Sequence, residues 1–357
     1  MRIGLFGFRE TGKSTLFRLL TGAAPTHAGR GEARIAVSKV PDPRLTRLSG
    51  MYRPKKTTPA TIEYLDLPAM EKGQAEQVLP LTELRTADAL VHVVRAFPDV
   101  ALPHAEGPID PARDVATMET EFILADHTVA ERRLEKVDAL VRKTNRPEDI
   151  QETELFRKVL ATLEREVPLR NATFTPDEER LLRGYTFLSL KPLLIVLNAG
   201  EADAAQLARG AAAFGLEEAA HRPSTEVVAL SARIEAELAE LAADDAASFM
   251  ADLGIVEPAI DRMIRASYHL LGVVSFFTVG DDECRAWTLR AGTGARKAAG
   301  TIHSDIERGF IRAEVVAYDD LIEAGSLPAC RERGTLRLEG KDYVIRDGEV
   351  VHFRFAV

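Results

Sequence analysis

Cysteine is scarce. Only Cys284 and Cys330 occur in 357 residues, and neither stands at a spacing that suits zinc ligation or dithiol exchange, so no disulfide framework, zinc module or redox motif is indicated. Two isolated thiols fit a reducing cytoplasm, where buried cysteines act as small apolar residues. Also missing is an uninterrupted apolar run of the roughly 20 residues that cross a bilayer, so no membrane-spanning function is expected. A strand-like run begins at Met1, which leaves the expectation of no cleavable leader and of a soluble, cytoplasmic protein. Positive charge is in deficit: 46 Lys and Arg against 55 Asp and Glu give a net charge of −9. That balance argues against wholesale binding to DNA or to an anionic membrane and leaves any RNA contact to a local basic patch. Length argues against one ordinary core, since about 150 residues per domain gives two or three domains.

Against these absences one stretch stands out. Residues 7–15, GFRETGKST, fit G-x-x-x-x-G-K-[ST], the loop in which glycines let the backbone approach phosphates, a helix N-terminus presents free N–H groups, and a lysine adds a point charge. The flanks have the required context. MRIGLFG reads as a buried strand ending in glycine, and STLFRLLTG places Leu16, Leu19 and Leu20 at helical spacing before Gly22. The motif therefore assigns Gly7, Phe8, Arg9, Glu10, Thr11, Gly12, Lys13, Ser14 and Thr15 to a nucleotide-binding loop, with Lys13 on the β and γ phosphates and Ser14 on Mg²⁺.

Beyond the loop, ARIAVSKV (33–40), ATIEYLDL (60–67) and ADALVHVVRAF (87–97) read as strands. From about Asp114 the period changes: Val115, Met118, Phe122 and Val129 open a long amphipathic helix, broken at NRPED (145–149), and Leu155, Phe156, Val159 and Leu163 mark a second. Strand signals resume at KPLLIVLNAGEAD and EVVALSARIEAELAEL, so the helical pair interrupts one mostly parallel α/β domain. After residue 272 the pattern turns to short strands with one helical stretch. The expected organisation is a nucleotide-binding domain over 1–110 and 191–272, a coiled-coil-like helical hairpin over 111–190, and a small α+β domain over 273–357.

VPDPRL, EFILAD, LSARIEAELAEL, RAWTLRAGTGARKAAGTIHSDIERGFIRAEVVAYDDLI and LRLEGKDYVIRDGEVVHFRF together resemble the YchF or Obg-like ATPase family. The resemblance spans nearly the whole chain and is strongest in the last ~85 residues. It implies a P-loop NTPase domain of the G-domain type with a helical insertion, a C-terminal TGS domain of ubiquitin-like β-grasp fold, use of ATP with Mg²⁺, and association with ribosomes or ribosomal RNA. Asp66 would join Ser14 in the metal shell. Where related GTPases carry Asn-Lys-x-Asp, whose carboxylate reads guanine, this chain has Asn198, Ala199, Gly200 and Glu201, similar to the family's Asn-x-x-Glu. Glutamate is one methylene longer and the lysine is absent, so the guanine contact is mispositioned and adenine is expected, with GTP as the alternative. Ser231 and Ala232 match the family's further base-side loop.

The switch segments depart from the family pattern. The segment before PDPRL is shorter, with Arg30 where a metal-reaching threonine is expected and Thr26 as a substitute candidate. The second switch reads Asp66, Leu67, Pro68, Ala69, Met70, with alanine in place of the glycine whose N–H senses the γ-phosphate. Met70 stands where Ras-like enzymes keep a water-orienting glutamine. The family's replacement is a histidine on a mobile loop, and His104 matches it, so His104 is the candidate catalytic residue. Arg290, Arg296, Lys297, His303, Arg308 and Arg312 form a basic cluster beside Phe310, interrupted by Asp305 and Glu307; it suits RNA phosphates or a solvated mixed-charge face. Three functions stay open: a slow ATPase switch, an Obg-type GTPase, and a non-hydrolysing nucleotide-dependent scaffold.

Overall fold

A computed structural model describes residues 1–22, 33–70, 78–99, 101–102, 104, 107–201, 207 and 209–356. The chain opens with β1 (Arg2–Phe6) and α1 (Lys13–Thr21), then β2 (Arg34–Lys39), α2 (Pro43–Tyr52), β3 (Lys56–Thr58), β4 (Thr61–Asp66), α3 (Val78–Arg85) and β5 (Ala89–Ala96). A six-stranded sheet runs in the order β2-β4-β1-β5-β6-β7, with β6 at Leu193–Ala199 and β7 at Thr225–Leu230. Every pairing described among β4, β1, β5, β6 and β7 is parallel. The chain fills one side of β1 with β2 and β4 before crossing to β5. That reversal leaves a crevice at the carboxyl ends of the central strands, where open α/β sheets bind ligands. Residues 7–12 leave β1 at this point.

The expected mostly parallel α/β fold is what the structure has. Its strands are buried because helices cover both faces, and the burial is continuous along β1, β5 and β6. Phe6, Leu65, Leu84, Leu90, Val94 and Phe122 form the core on one face. Phe122 belongs to α4 (Pro111–Thr144), so the first half of this 34-residue helix is a sheet cover. Its second half pairs with α5 (Pro147–Leu163). Asn145 ends α4 in the left-handed conformation at φ 47°, and Pro147 starts α5 where a missing N–H costs nothing. Ile123, Ala130, Phe156, Val159 and Leu163 hold the two helices to a core of their own, which Phe187 also joins.

Two compact units emerge: Met1–Ala36 with Glu63–Leu270, and Val37–Ile62 with Leu271–Val357. Residues 37–62, which sequence periodicity groups with the first domain, pack with the C-terminal strands instead. The reason is local. Asp42 caps α2 by accepting from Arg44 N at 3.0 Å, and the Arg44 guanidinium reaches Asp347 at 2.7 Å and lies 5.2 Å from the Phe277 ring. β3 then pairs in parallel with β9 (Glu283–Arg290), from Lys56 opposite Glu283 to Thr58 opposite Arg285. The second unit's sheet has the order β11-β10-β12-β8-β9-β3, with β8 at Val273–Thr278, β10 at Phe310–Val316, β11 at Arg337–Glu339 and β12 at Val350–Phe355. The β8–β9 hairpin, the helix Ala295–Ile302 and the parallel β12–β8 pair form the β-grasp arrangement, centred on Phe276, Ala298, Val351 and Phe353.

Candidate functional site

The loop after β1 has the backbone a phosphate cradle needs. Gly12 takes the N-cap position of α1 at φ 86°, left-handed, and no side chain caps the helix, so its first N–H groups remain available. A Cβ on Gly12 would lie 2.2 Å from Asn198 Nδ2, and one on Gly7 would lie 2.4 Å from the Val93 carbonyl. Both positions are closed to any other residue. Phe8 and Thr11 point inward, with the Thr11 hydroxyl donating to Phe8 O at 3.2 Å, whereas Arg9, Glu10 and Ser14 are exposed and Thr15 is half-buried.

Three charged groups converge beside the cradle. The Lys13 ammonium donates to Asp66 Oδ1 and to Leu67 O, and the Arg34 guanidinium donates to Asp66 Oδ2. Arg34 Nη2 also lies 3.4 Å from Ser14 Oγ. β4 delivers Asp66 here because it pairs with β1 in a register that sets Asp66 opposite Leu5. Burial pulls the Lys13 pKa below its usual range, and the Asp66 carboxylate opposes that pull. After Asp66 the chain folds back, with Met70 N donating to Gly7 O at 3.0 Å and the Met70 side chain buried in the sheet core. Thr26 and Arg30 lie outside the described residues, as do residues 71–77 of the second switch.

Ser14 and Asp66 suit Mg²⁺. They offer one hydroxyl and one carboxylate, hard oxygen donors, and one guanidinium already reaches both, so a cation is electrostatically at home between them. Among the described residues no group of three His, Cys, Asp or Glu side chains could hold a metal by itself. Mg²⁺ on a nucleotide does not need one, since phosphates and water complete its shell.

On the base side, Asn198 works as a strap. Its amide donates to Thr11 O at 2.9 Å and accepts from Ala232 N at 2.9 Å, tying the cradle to the start of the helix Ala232–Glu240. Ser231 caps that helix, accepting from Ile234 N at 3.5 Å. Glu201 is ion-paired with Arg233 at the rim, where both are exposed. A cavity of about 610 Å³ opens between these segments, lined among others by Gly12, Thr15, Phe97, Glu201 and Ala232. Sequence reasoning missed Phe97 and the residue that sets it, Arg95. Arg95 is 1% exposed at the end of β5, donates through Nε to Phe97 O at 3.1 Å, and lies 4.7 Å from the Phe97 ring. The available signal was an arginine inside an otherwise apolar strand, a placement that requires specific partners.

His104 is buried. Its Nε2 lies 2.9 Å from Asp114 Oδ2 and its ring meets Phe8 edge-on at 6.2 Å. Arg113 shares Asp114 at 2.7 Å. The histidine therefore sits behind the loop and is not displayed on an exposed segment. In the second unit Lys297 pairs with Glu307 at 2.9 Å, Arg308 pairs with Asp305, and Arg296 donates to Glu307 O at 3.3 Å. Much of the basic cluster is thus matched by acids. No helix among the described residues is long and apolar enough to cross a membrane.

Comparison with known proteins adds the following. Residues 2–198 match the family model of the 50S ribosome-binding GTPases, and residues 273–356 match the C-terminal YchF-GTPase model, described as a protein of unknown function. The chain is 39% identical to the ribosome-binding ATPase YchF of Bacillus subtilis over 99% of both chains. It is 38% identical to the protein of the same name from Haemophilus ducreyi over 100% of this chain and 99% of the other. Among solved structures, the YchF GTPase of Schizosaccharomyces pombe superposes with a TM-score of 0.87 at 27% identity, covering 99% of this chain and 97% of that one.

Proposed function

This chain belongs to the YchF family, and from that premise we propose that it binds ATP with Mg²⁺ in the Gly7–Thr15 loop, hydrolyses it slowly, and works on or near the ribosome in the cytoplasm. The observation that carries this reading is the uncapped N-terminus of α1 behind a left-handed Gly12, with Lys13 on Asp66 and Arg34 reaching both Asp66 and Ser14. We assign nucleotide binding to residues 1–36, 63–110 and 191–270, and ribosome contact to the hairpin at 111–190 and to the unit of residues 37–62 and 271–357.

In this reading the backbone N–H groups of residues 12–15 surround the phosphates, and the Lys13 ammonium leaves Asp66 and Leu67 to reach the β and γ oxygens. Ser14 and Asp66 would hold Mg²⁺, which would supply positive charge against the negative charge of the phosphates. Asn198 keeps the cradle and the base-side loop in register by holding Ala232 N, and Ser231 and Ala232 line the base pocket. Phe97 offers an aromatic face to it. Glu201 is ion-paired with the exposed Arg233, so guanine would compete with that arginine for the carboxylate. A pocket whose acceptor is already engaged has less reason to favour GTP, which supports ATP.

Two alternatives keep specific support. An Obg-type GTPase is suggested by the name of the Schizosaccharomyces pombe relative. A scaffold that signals by occupancy alone is suggested by the burial of His104 on Asp114 and by Ala69 in the second switch. Single-turnover kinetics separates the scaffold from the ATPase. A Ras-like site without its activator turns over at about 10⁻⁴ to 10⁻³ s⁻¹, and this chain is expected at or below that range, because His104 positions water only after leaving Asp114. His104→Ala is expected to lower the residual rate while leaving nucleotide affinity nearly unchanged. An unchanged rate removes His104 from catalysis, a rate of zero in the wild type favours the scaffold, and a rate above about 1 s⁻¹ contradicts the impaired switches.

A further inference from the structure

Arg34 does something that the phosphate loop alone does not explain. It is the first residue of β2, its guanidinium is bonded to Asp66 Oδ2, and the same Nη2 atom stands 3.4 Å from Ser14 Oγ. These are the two oxygens assigned above to the divalent cation. The guanidinium also lies over the Phe17 ring on α1, its Cζ 5.3 Å from the ring centroid. Asp66 is only 3% exposed, and Lys13 bonds its other oxygen, so an incoming ion meets a carboxylate with both oxygens already engaged by cations.

We propose that Arg34 is the resident cation of the nucleotide-free site, holding the divalent-ion position on Asp66 and Ser14 until a metal–nucleotide complex displaces it. The inference rests on the P-loop reading above. The physical logic is charge exchange. A buried carboxylate needs positive charge, which Lys13 and Arg34 supply together. When a triphosphate draws Lys13 away and brings its own divalent ion, the guanidinium becomes redundant and is opposed by the metal's charge. Metal and Arg34 therefore compete for the same oxygens, and by linkage each weakens the other's hold. Because the arginine is tethered, its effective concentration at Asp66 is high, and the metal is bound more weakly than the oxygen set alone would allow.

The test is a Mn²⁺ titration followed by the electron paramagnetic resonance signal of the free ion, at saturating ADP, on the full chain. Arg34→Gln is expected to tighten Mn²⁺ about tenfold, within the span usual for coupled sites. Arg34→Lys keeps the charge but loses the planar fork, and is expected to fall between the two. Unchanged or weaker Mn²⁺ binding in both variants, each showing the wild-type circular dichroism spectrum, overturns the proposal. ADP affinity in EDTA, measured by calorimetry on the same samples, separates the two readings. Nucleotide binding that persists while Mn²⁺ affinity does not move removes only the role of Arg34, whereas no ADP binding at all removes the P-loop reading and this inference with it.

Discussion

Lys13→Ala is expected to weaken triphosphate binding by well over tenfold. The ammonium supplies a side-chain charge that can turn from Asp66 to the phosphates, and a charge-assisted hydrogen bond of this type contributes roughly 1.5–3 kcal/mol. Part of that contribution is spent before the nucleotide arrives, because Lys13 must give up Asp66 and Leu67 O. The same contacts make the variant informative in the nucleotide-free state. Its loss leaves Asp66 with Arg34 as its remaining described ion-pair partner, so thermal stability without ligand should fall only modestly while affinity collapses. Isothermal calorimetry with Mg·ATP reads the affinity directly. Unchanged affinity would remove the loop from the account.

The second large effect is on stability. Asp126 on α4 has no exposed surface, and its carboxylate accepts from Leu188 N at 3.0 Å, Ser189 N at 2.7 Å and Arg85 Nη1 at 3.1 Å. Those partners belong to the segment that enters β6, the strand carrying Asn198, and to α3. Burial raises the pKa of this carboxyl, and the bonds from Ser189, Leu188 and Arg85 offset the rise. Asp126→Ala deletes the acceptor and strands two buried backbone donors, while the Arg85 guanidinium loses its carboxylate and keeps Thr186 O and Ala125 O. Breaking a buried pair in this way costs about 3–5 kcal/mol. In a unit of this size about 1 kcal/mol lowers the melting temperature by roughly 2–4 °C, so a fall of about 6–20 °C is expected in a thermal scan. A fall under about 2 °C would show that the carboxylate is not the anchor described here.

Some of this was legible before any coordinates. The phosphate loop was, because its chemistry is local: glycines, lysine and serine at fixed spacing between a strand and a helix. The break between α4 and α5 was also visible, since Asn145 and Pro147 each enforce a backbone state. What sequence hid depends on residues far apart in the chain. Nothing in the periodicity of ARIAVSKV says that Arg34 meets Asp66, a contact made because β2 and β4 are neighbours in the sheet. Asn198 reads as a base-contacting residue, yet its amide is spent on Thr11 O and Ala232 N, a strap that only the closed loop geometry reveals. His104 reads as a loop residue free to move, and burial with Asp114 is a tertiary fact. Residues 37–62 have strand and helix signals that suit either unit, and a capped helix with Arg44 on Asp347 decides the matter.

The central claim is that this loop takes ATP in preference to GTP because Glu201, one methylene longer than a guanine-reading aspartate, is ion-paired with Arg233 at the rim of the pocket beside Phe97. The most direct measurement is a competition titration, in which a fluorescent ATP analogue bound to the wild-type chain at fixed Mg²⁺ is displaced by unlabelled ATP and, in parallel, by unlabelled GTP. The account expects ATP to displace the probe at the lower concentration. Displacement by GTP at the lower concentration, or no displaceable probe at all, would contradict it.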